Sequence, residues 1–596
     1  MPRLVDTTIR VLSQEPLAGT IPTAELLRLA EILDRANFAC LEVSGGGVFD
    51  ACVRRGVESP WERIRGLKAR VQTPLALAIR GRFLVGPHPV PDELVRRFVL
   101  SAAASGIDAF RLNDPLNDVD NLRVAADAIR EAGCEFDIGL VYGSQQHAAL
   151  LSAAAKLPEL GAARVVLHDA AGLLQPHRAS VLVKELREAS GLPVGIYCQG
   201  AGGNALAATL EGARAGADLI ACAVYPVALS LLRVSAEAAA QALAGIGLDP
   251  GVDLEELWSA AELVDDHIGD APVAPLRPRL AVRSAQRKIP VGLVAALDDQ
   301  LRASGSADRL DEILVEIERV RVEAGSAPLA APIGQIVASQ AIVNVLGANR
   351  YGTLVDEFRD LVSGRFGRTP GPIDPALARA VELLGGGADE TPPDINALRE
   401  AAKGLAASEE ELLLLALFPG EAEPLLRAIR QRATGEETPA AQGVDRSREQ
   451  QIRDVVRIIQ ETGVGEITIE EHGTRVSVRR TPDLPLPAVA AGAGAGDELG
   501  ELPDQPASDG LVRVESPMVG TFYRSPQPGA PSFVEEGDAV AAGQTLCILE
   551  AMKLMNEVKA EIEAVVRRIH VGNAEPVEYG QLLFELEPLN GRPAGL

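Results

Sequence analysis

Cysteine is scarce in this chain: six residues in 596, at positions 40, 52, 134, 198, 222 and 547, with no CxxC spacing among them. That argues against a thiolate metal site or a disulfide framework, and for a reducing compartment. Aromatic residues make up only 3% of the chain, and 57 Lys and Arg are outnumbered by 83 Asp and Glu. The formal net charge of −26 argues against a nucleic-acid partner, because neutralising phosphates needs basic residues in excess. Long apolar runs are missing as well. The longest, LIACAVYPVALSLL (219–232), contains a proline and is too short to span a bilayer. The first residues, MPRLVDTTIR, have no apolar signal core, so a cytoplasmic protein with no membrane contact is expected.

What is present is an alternation of short apolar runs and amphipathic stretches. Strands are expected at 4–8, 40–43, 75–79, 109–112, 136–141, 164–167, 194–198 and 219–224, separated by helical patterns such as AELLRLAEILDRA. Strands followed by helices over some 240 residues predict a (β/α)8 barrel of the α/β class. An open doubly wound sheet has the same periodicity, but neither a GxGxxG fingerprint nor a P-loop is present to support it. A helical region follows, in which DRLDEILVEIERVRVEAG places Leu310, Ile313, Leu314, Ile317 and Val320 on one face. The segment 447–480 reads as a helix, a glycine turn and a small β-hairpin, and 483–510 as an Ala/Gly/Pro/acid linker. The last eighty residues are β-rich and repeat: VAAGQTL (540–546) recurs as VEYGQLL (577–583), 37 positions on. The expected divisions are a barrel over 1–285, a helical extension over 286–440, a helix-hairpin over 445–481, a linker over 482–511 and an all-β domain over 512–590.

Between the repeats lies EAMKLMN (550–556). In this setting it resembles the biotinyl domain of biotin-dependent carboxylases. The resemblance implies covalent biotin on Lys553, flanked by Met552 and Met555. A lysine on a tight hairpin tip is open to a biotin protein ligase, and once acylated it loses its charge and becomes a long swinging arm. SPMVGTFYRSPQPGAPSF (516–533) is similar to the thumb-bearing strand of the carrier subunit of bacterial acetyl-CoA carboxylase. The segment 447–480 is similar to that carrier's N-terminal part.

The first 435 residues resemble another family, the carboxyltransferase domain of pyruvate carboxylase and the oxaloacetate decarboxylase α subunit. The likeness lies in LEVSGGGVFDACVRRGVESPWERIRGLK (41–68), IRGRFLVG (79–86), HDAAGLLQP (168–176), QIVASQAIVNVLGANRY (335–351) and GRFGRTPGPI (364–373). It implies movement of a carboxyl group between biotin and pyruvate, with a divalent metal polarising the keto acid. It also implies four ligand positions, which read here Val11, His168, Tyr197 and Gln199. Valine cannot ligate, and tyrosine and an amide are poor ligands, so no metal is expected. The position of the family's proton-carrying threonine reads Ala331, and a neighbouring serine reads Gly334. Arg10, Gln14 and Arg80, implied to hold the keto acid, remain as a possible anion pocket, unless the arginines pair with carboxylates such as Asp114.

These readings predict a non-catalytic biotin carrier and scaffold of an acetyl-CoA carboxylase type, serving fatty acid biosynthesis, with an inactive barrel used for assembly. Its expected partners are a biotin carboxylase subunit, an acyl-CoA carboxyltransferase subunit, a biotin protein ligase and a second copy of the chain. Two alternatives stand beside it. One is an active, metal-independent carboxyltransferase or decarboxylase of keto acids, using Arg10, Arg80, His168 and Asp114, with His168 as general base. The other is a barrel that senses a metabolite.

Overall fold

The computed structural model describes residues 1–14, 21–268, 278–383, 399–434, 466–479 and 511–589, apart from 57, 87, 144–146, 201–202, 231, 304, 348, 401, 403–404, 472–473, 519, 526–530, 552–553 and 561. Eight parallel strands close into a barrel: β1 Arg3–Asp6, β2 Leu41–Gly45, β3 Leu75–Ile79, β4 Ala109–Asn113, β5 Glu135–Val141, β6 Arg164–Asp169, β7 Val194–Cys198 and β8 Leu219–Cys222. Closure is made where Arg3 to Asp6 pair in parallel with Leu219 to Cys222. The strands read as near-continuous apolar runs because helices cover their outer face. The helix Thr23–Arg35, for example, buries Leu26, Leu29, Ala30 and Leu33 against that layer.

Charged residues interrupt these runs at inward positions. Glu42 of β2, Arg111 of β4, Asp137 of β5 and Arg164 of β6 form one chain of ion pairs inside the barrel. Arg10 joins it at the mouth through Glu42, and Asp218 joins it at the base through Arg164, 3.0 Å away. Such a chain stabilises only when complete, since each buried charge needs its partner.

The helical region packs mostly on itself. The helix Leu310–Glu323 buries the stripe Leu310, Ile313, Leu314, Ile317 and Val320, and Ile333–Leu346 is enclosed on almost every side. The helix Glu409–Leu417 instead returns to the barrel, with Leu412 to Leu415 in the barrel's core and the Trp61 indole donating to the Glu410 carbonyl at 3.2 Å.

Two strands, β9 Glu466–Glu471 and β10 Thr474–Arg479, pair antiparallel, as expected for the hairpin. The helix expected before them and the linker at 482–511 lie outside the described residues, except for Leu511. The C-terminal domain has β11 Val512–Glu515, β12 Gly520–Tyr523, β13 Ala539–Val540, β14 Thr545–Ala551, β15 Leu554–Lys559, β16 Ala564–Ile569, β17 Glu575–Val577 and β18 Leu582–Pro588. They form two four-stranded sheets, in the orders β11-β18-β16-β13 and β15-β14-β12-β17. Phe522 and Phe584 meet between them, ring centroids 5.8 Å apart. The sequence repeat is a structural one. The Ala541 amide donates to Gln544 Oε1 at 3.0 Å, and the Glu578 amide donates to Gln581 Oε1 at 2.8 Å. Each pair brackets a glycine at positive φ, Gly543 and Gly580.

Candidate functional site

At the C-terminal ends of the strands lies a cavity of about 680 Å³ lined by Arg10, Gln14, Glu42, Arg80, His168, Tyr197, Gln199 and Arg233, among others. This is the end of a barrel where strand-end residues meet and chemistry is placed. Asp6 ends β1 and accepts from the Thr8 amide at 2.9 Å, starting the short helix Thr8–Leu12. That helix presents Arg10 to the cavity and turns Val11 into the apolar core. Burial pushes the Asp6 carboxyl up to about 7.

The glycine run 45–47 lets three side chains converge. A Cβ on Gly46 would lie 2.7 Å from the Arg80 guanidinium, and one on Gly47 would lie 2.8 Å from Gln14 Cγ. Arg80 directly follows β3 and donates to the Val85 and Gly86 carbonyls at 3.0 and 2.9 Å. Burial brings its pKa down to about 10.

Tyr197, near the end of β7, is the meeting point. Its hydroxyl accepts from Arg10 at 3.0 Å and from Arg233, and the Arg233 guanidinium also lies 5.4 Å from the ring centroid. His168 of β6 stacks on the Tyr197 ring, ring centroids 4.8 Å apart and planes within 8°. Gln199 Nε2 lies 2.8 Å from His168 Nε2, so the amide donates to a neutral imidazole. Burial, then the charges of Arg233 and Arg10, push the His168 pKa down to about 3. An imidazole with so acidic a conjugate acid does not serve as a general base near neutrality. Burial also lowers Arg233, against the pull of Tyr197, and the charge of Arg10 adds to the fall. In Arg10 itself the Glu42 and Tyr197 contributions outweigh burial and raise the pKa.

Asp114 takes no part in the cavity. It accepts from the amides of Leu116 and Asp118 and from Asn121 Nδ2, holding the loop after β4. The arginines therefore pair elsewhere, Arg10 with Glu42 and Arg111 with Glu42 and Asp137. Ala331 and Gly334 line the cavity from the helical region. Glu42, Arg111 and Arg233 were not anticipated. The signal for the first two is a charge inside an apolar strand, in LEVSG and AFRLN; Arg233 follows β8 and has no such mark.

Lys553 and Met552 lie outside the described residues, as does the side chain of Met555. Their surroundings are described: β14 and β15 pair up to Ala551 and Leu554, leaving a two-residue connection.

A family described as "Conserved carboxylase domain" matches residues 285–471, "Biotin-requiring enzyme" matches 512–586 and "HMGL-like" matches 107–264. The chain is 33% identical to a pyruvate carboxylase subunit of Methanocaldococcus jannaschii, over 93% of this chain and 94% of that one. The chain belongs to this family of pyruvate carboxylase subunits. A second member of the family, 2-oxoglutarate carboxylase large subunit of Hydrogenobacter thermophilus, is 30% identical over 94% of this chain and 90% of that one. The carboxyl transferase domain of Rhizobium etli pyruvate carboxylase, solved with oxamate and biotin, superposes with a TM-score of 0.66 at 27% identity, over 73% of this chain and 78% of that one.

These relatives overturn the expectation of a non-catalytic, pseudoenzyme scaffold for an acetyl-CoA carboxylase in fatty acid biosynthesis. Relatives that match from end to end are named as carboxylases of pyruvate and of 2-oxoglutarate. The physical reason lies at the mouth, where lost ligands do not mean a lost site. Guanidinium groups stand around the positions that a metal's ligands would occupy. The same donor set does not suit a divalent cation: Val11 is apolar, His168 is engaged by Gln199, and Tyr197 faces two cations. Among the described residues, no group of three or more His, Cys, Asp or Glu is placed to hold a metal. No helix among them is long and apolar enough to cross a membrane.

Proposed function

We propose that this chain is the carboxyltransferase and carrier subunit of a biotin-dependent 2-oxo acid carboxylase. A biotin protein ligase attaches biotin to Lys553, a separate biotin carboxylase subunit loads it, and the carboxyl group passes to the carbon beside the keto group of a 2-oxo acid in the barrel mouth. When attached, biotin supplies the carboxyl group in transferable form. The chain's own residues bind and orient the acceptor. Arg80, fixed by two backbone carbonyls, offers its charge to the substrate carboxylate, and Gln14 and Arg10 close the same side. The cavity's apolar walls, including Leu293, Leu329 and Ala331, exclude water and strengthen these contacts.

The observation that carries this reading is a buried guanidinium, Arg80, that makes no ion pair among the described residues and feels only a longer-range attraction to Asp50, in a barrel-mouth cavity on the chain that also holds the biotinyl fold. Support comes also from the relatives, which are named for 2-oxo acid substrates. The test is fixation of labelled bicarbonate by the biotinylated chain together with its biotin carboxylase subunit and ATP. Acid-stable label should appear with pyruvate or 2-oxoglutarate as acceptor. Label that appears with acetyl-CoA and with neither 2-oxo acid would overturn the assignment.

A further inference from the structure

We propose that Arg233, gathered with Arg10 on the Tyr197 hydroxyl, takes the carbonyl oxygen of the 2-oxo acid and holds its charge as the enolate forms, so that a guanidinium performs the task of a Lewis-acid metal. This rests on the carboxylase reading above and names the electrophile of that same site.

Four arginines line the cavity, with Glu42 and Asp299 as its acids. Arg10 and Arg111 share Glu42, and Arg111 also reaches Asp137. Neither Arg80 nor Arg233 has a carboxylate within ion-pair distance among the described residues, Asp299 included. Among the described residues the Arg233 guanidinium contacts Tyr197, with Glu42 adding a longer-range attraction, and its Nε is buried without a hydrogen-bond partner. A buried cation left in this state is costly unless an anion arrives to meet it. Two such cations in one cavity fit an acceptor with two anionic ends, a carboxylate for Arg80 and an oxygen that becomes charged for Arg233. Tyr197 sets the position. Its ring is clamped by the His168 face, and its oxygen draws Arg10 and Arg233 together although like charges repel. The neutral His168 adds no competing charge. Donors fixed in advance where charge develops, in a water-poor site, are an effective form of transition-state stabilisation.

In the step itself the C3–H bond of the 2-oxo acid breaks and its electron pair becomes the C2=C3 double bond. The carbonyl π pair moves to the oxygen facing Arg233. Carboxylated biotin, when attached, would supply the acceptor for that proton at the ureido nitrogen that releases the carboxyl group. The enolate carbon then forms the new C–C bond with that carboxyl carbon, and the carbonyl reforms.

The test uses the full-length biotinylated chain and oxalate, a planar dianion shaped like the enolate, with binding read by calorimetry in the presence of a chelator. Wild type is expected to bind oxalate equally with and without chelator. Arg233→Met should weaken binding by about 100-fold, as loss of a charged hydrogen bond does, and Arg233→Lys by less. Should Arg233→Met fail to fold, Tyr197→Phe replaces it: the hydroxyl that positions both guanidiniums is lost, and about tenfold weaker binding is expected. Oxalate binding that is abolished by chelator and restored by Mn²⁺ or Zn²⁺ overturns the proposal while leaving the carboxylase assignment intact. Binding unchanged in a folded Arg233→Met, or in Tyr197→Phe, overturns it as well. If oxalate binding follows Arg233 but no 2-oxo acid is carboxylated, the anion site stands and the carboxylase assignment falls.

Discussion

His168 lies against Tyr197 with two guanidiniums nearby, and its imidazole stays neutral down to about pH 3. In the unfolded chain the same group takes a proton near its ordinary value of about 6.5. Between these values the unfolded state binds the extra proton, so stability falls as pH drops through 6.5, by about 2 kcal/mol at pH 5. Asp6 and Asp114 act in the opposite sense. Burial raises their carboxyls to about 7 and about 6, so the native state takes up protons first and gains stability as pH falls through those values. In His168→Gln the thermal midpoint should therefore fall less between pH 7.5 and pH 5 than it does in wild type; equal falls would show that the imidazole titrates normally in the native state. Arg80 makes a different test. Replacing it with Met removes one charged contact of about 1.5–3 kcal/mol to the substrate carboxylate, so KM for the 2-oxo acid should rise about 10- to 100-fold with kcat less affected. Steady-state kinetics of the reconstituted complex decide it.

At the scale of elements, the end of β7 shows how tightly the backbone is fitted. Gly200 has φ +122°, and a Cβ there would lie 2.5 Å from the Gly172 Cα in the loop after β6. Gly200→Ala is expected to destabilise the barrel by about 2 kcal/mol or more, read by denaturant unfolding, because both the φ and the contact are unfavourable. The glycine-rich run was legible in the sequence as a strand ending at a mouth, and so were all eight strands, most within a residue or two, because buried parallel strands write themselves as apolar runs. The repeated GQ turns were legible for the same reason: each element's local chemistry stands in its own residues. The site was only half legible. Arg10 and Arg80 stand next to recognisable motifs, whereas Arg233 owes its role to Tyr197 and His168 on two other strands, and a three-way meeting leaves no local pattern. The reading also went astray where it took absent metal ligands for absent chemistry.

On the scale of the whole molecule, an ion pair links the carrier domain to the barrel. Glu550, three residues before Lys553, accepts from the Tyr523 hydroxyl at 3.0 Å and lies 3.8 Å from Arg54, at the far end of the helix Gly46–Arg55 whose first residues line the cavity. A half-buried pair at that distance is a weak tether, on the order of 1 kcal/mol. Lys553→Arg should abolish streptavidin reactivity and carboxylation of the 2-oxo acid while leaving the thermal midpoint unchanged. Glu42→Gln should do the reverse of a surface change: it leaves Arg10 without a carboxylate inside the barrel and Arg111 with Asp137 alone, and is expected to lower stability by about 3–5 kcal/mol, measured by denaturant unfolding.

The chain of ion pairs from Arg10 through Glu42, Arg111, Asp137 and Arg164 to Asp218 also constrains how this barrel can change over time. Neutralising Glu42 leaves Arg10 without a carboxylate and neutralising Arg164 leaves Asp218 without a cation, whereas the loss of Arg111 or Asp137 leaves each neighbour with a second partner. Lineages that have lost Glu42 should have lost Arg10 with it, and those that have lost Arg164 should have lost Asp218, a correlated history between segments that are far apart in the sequence.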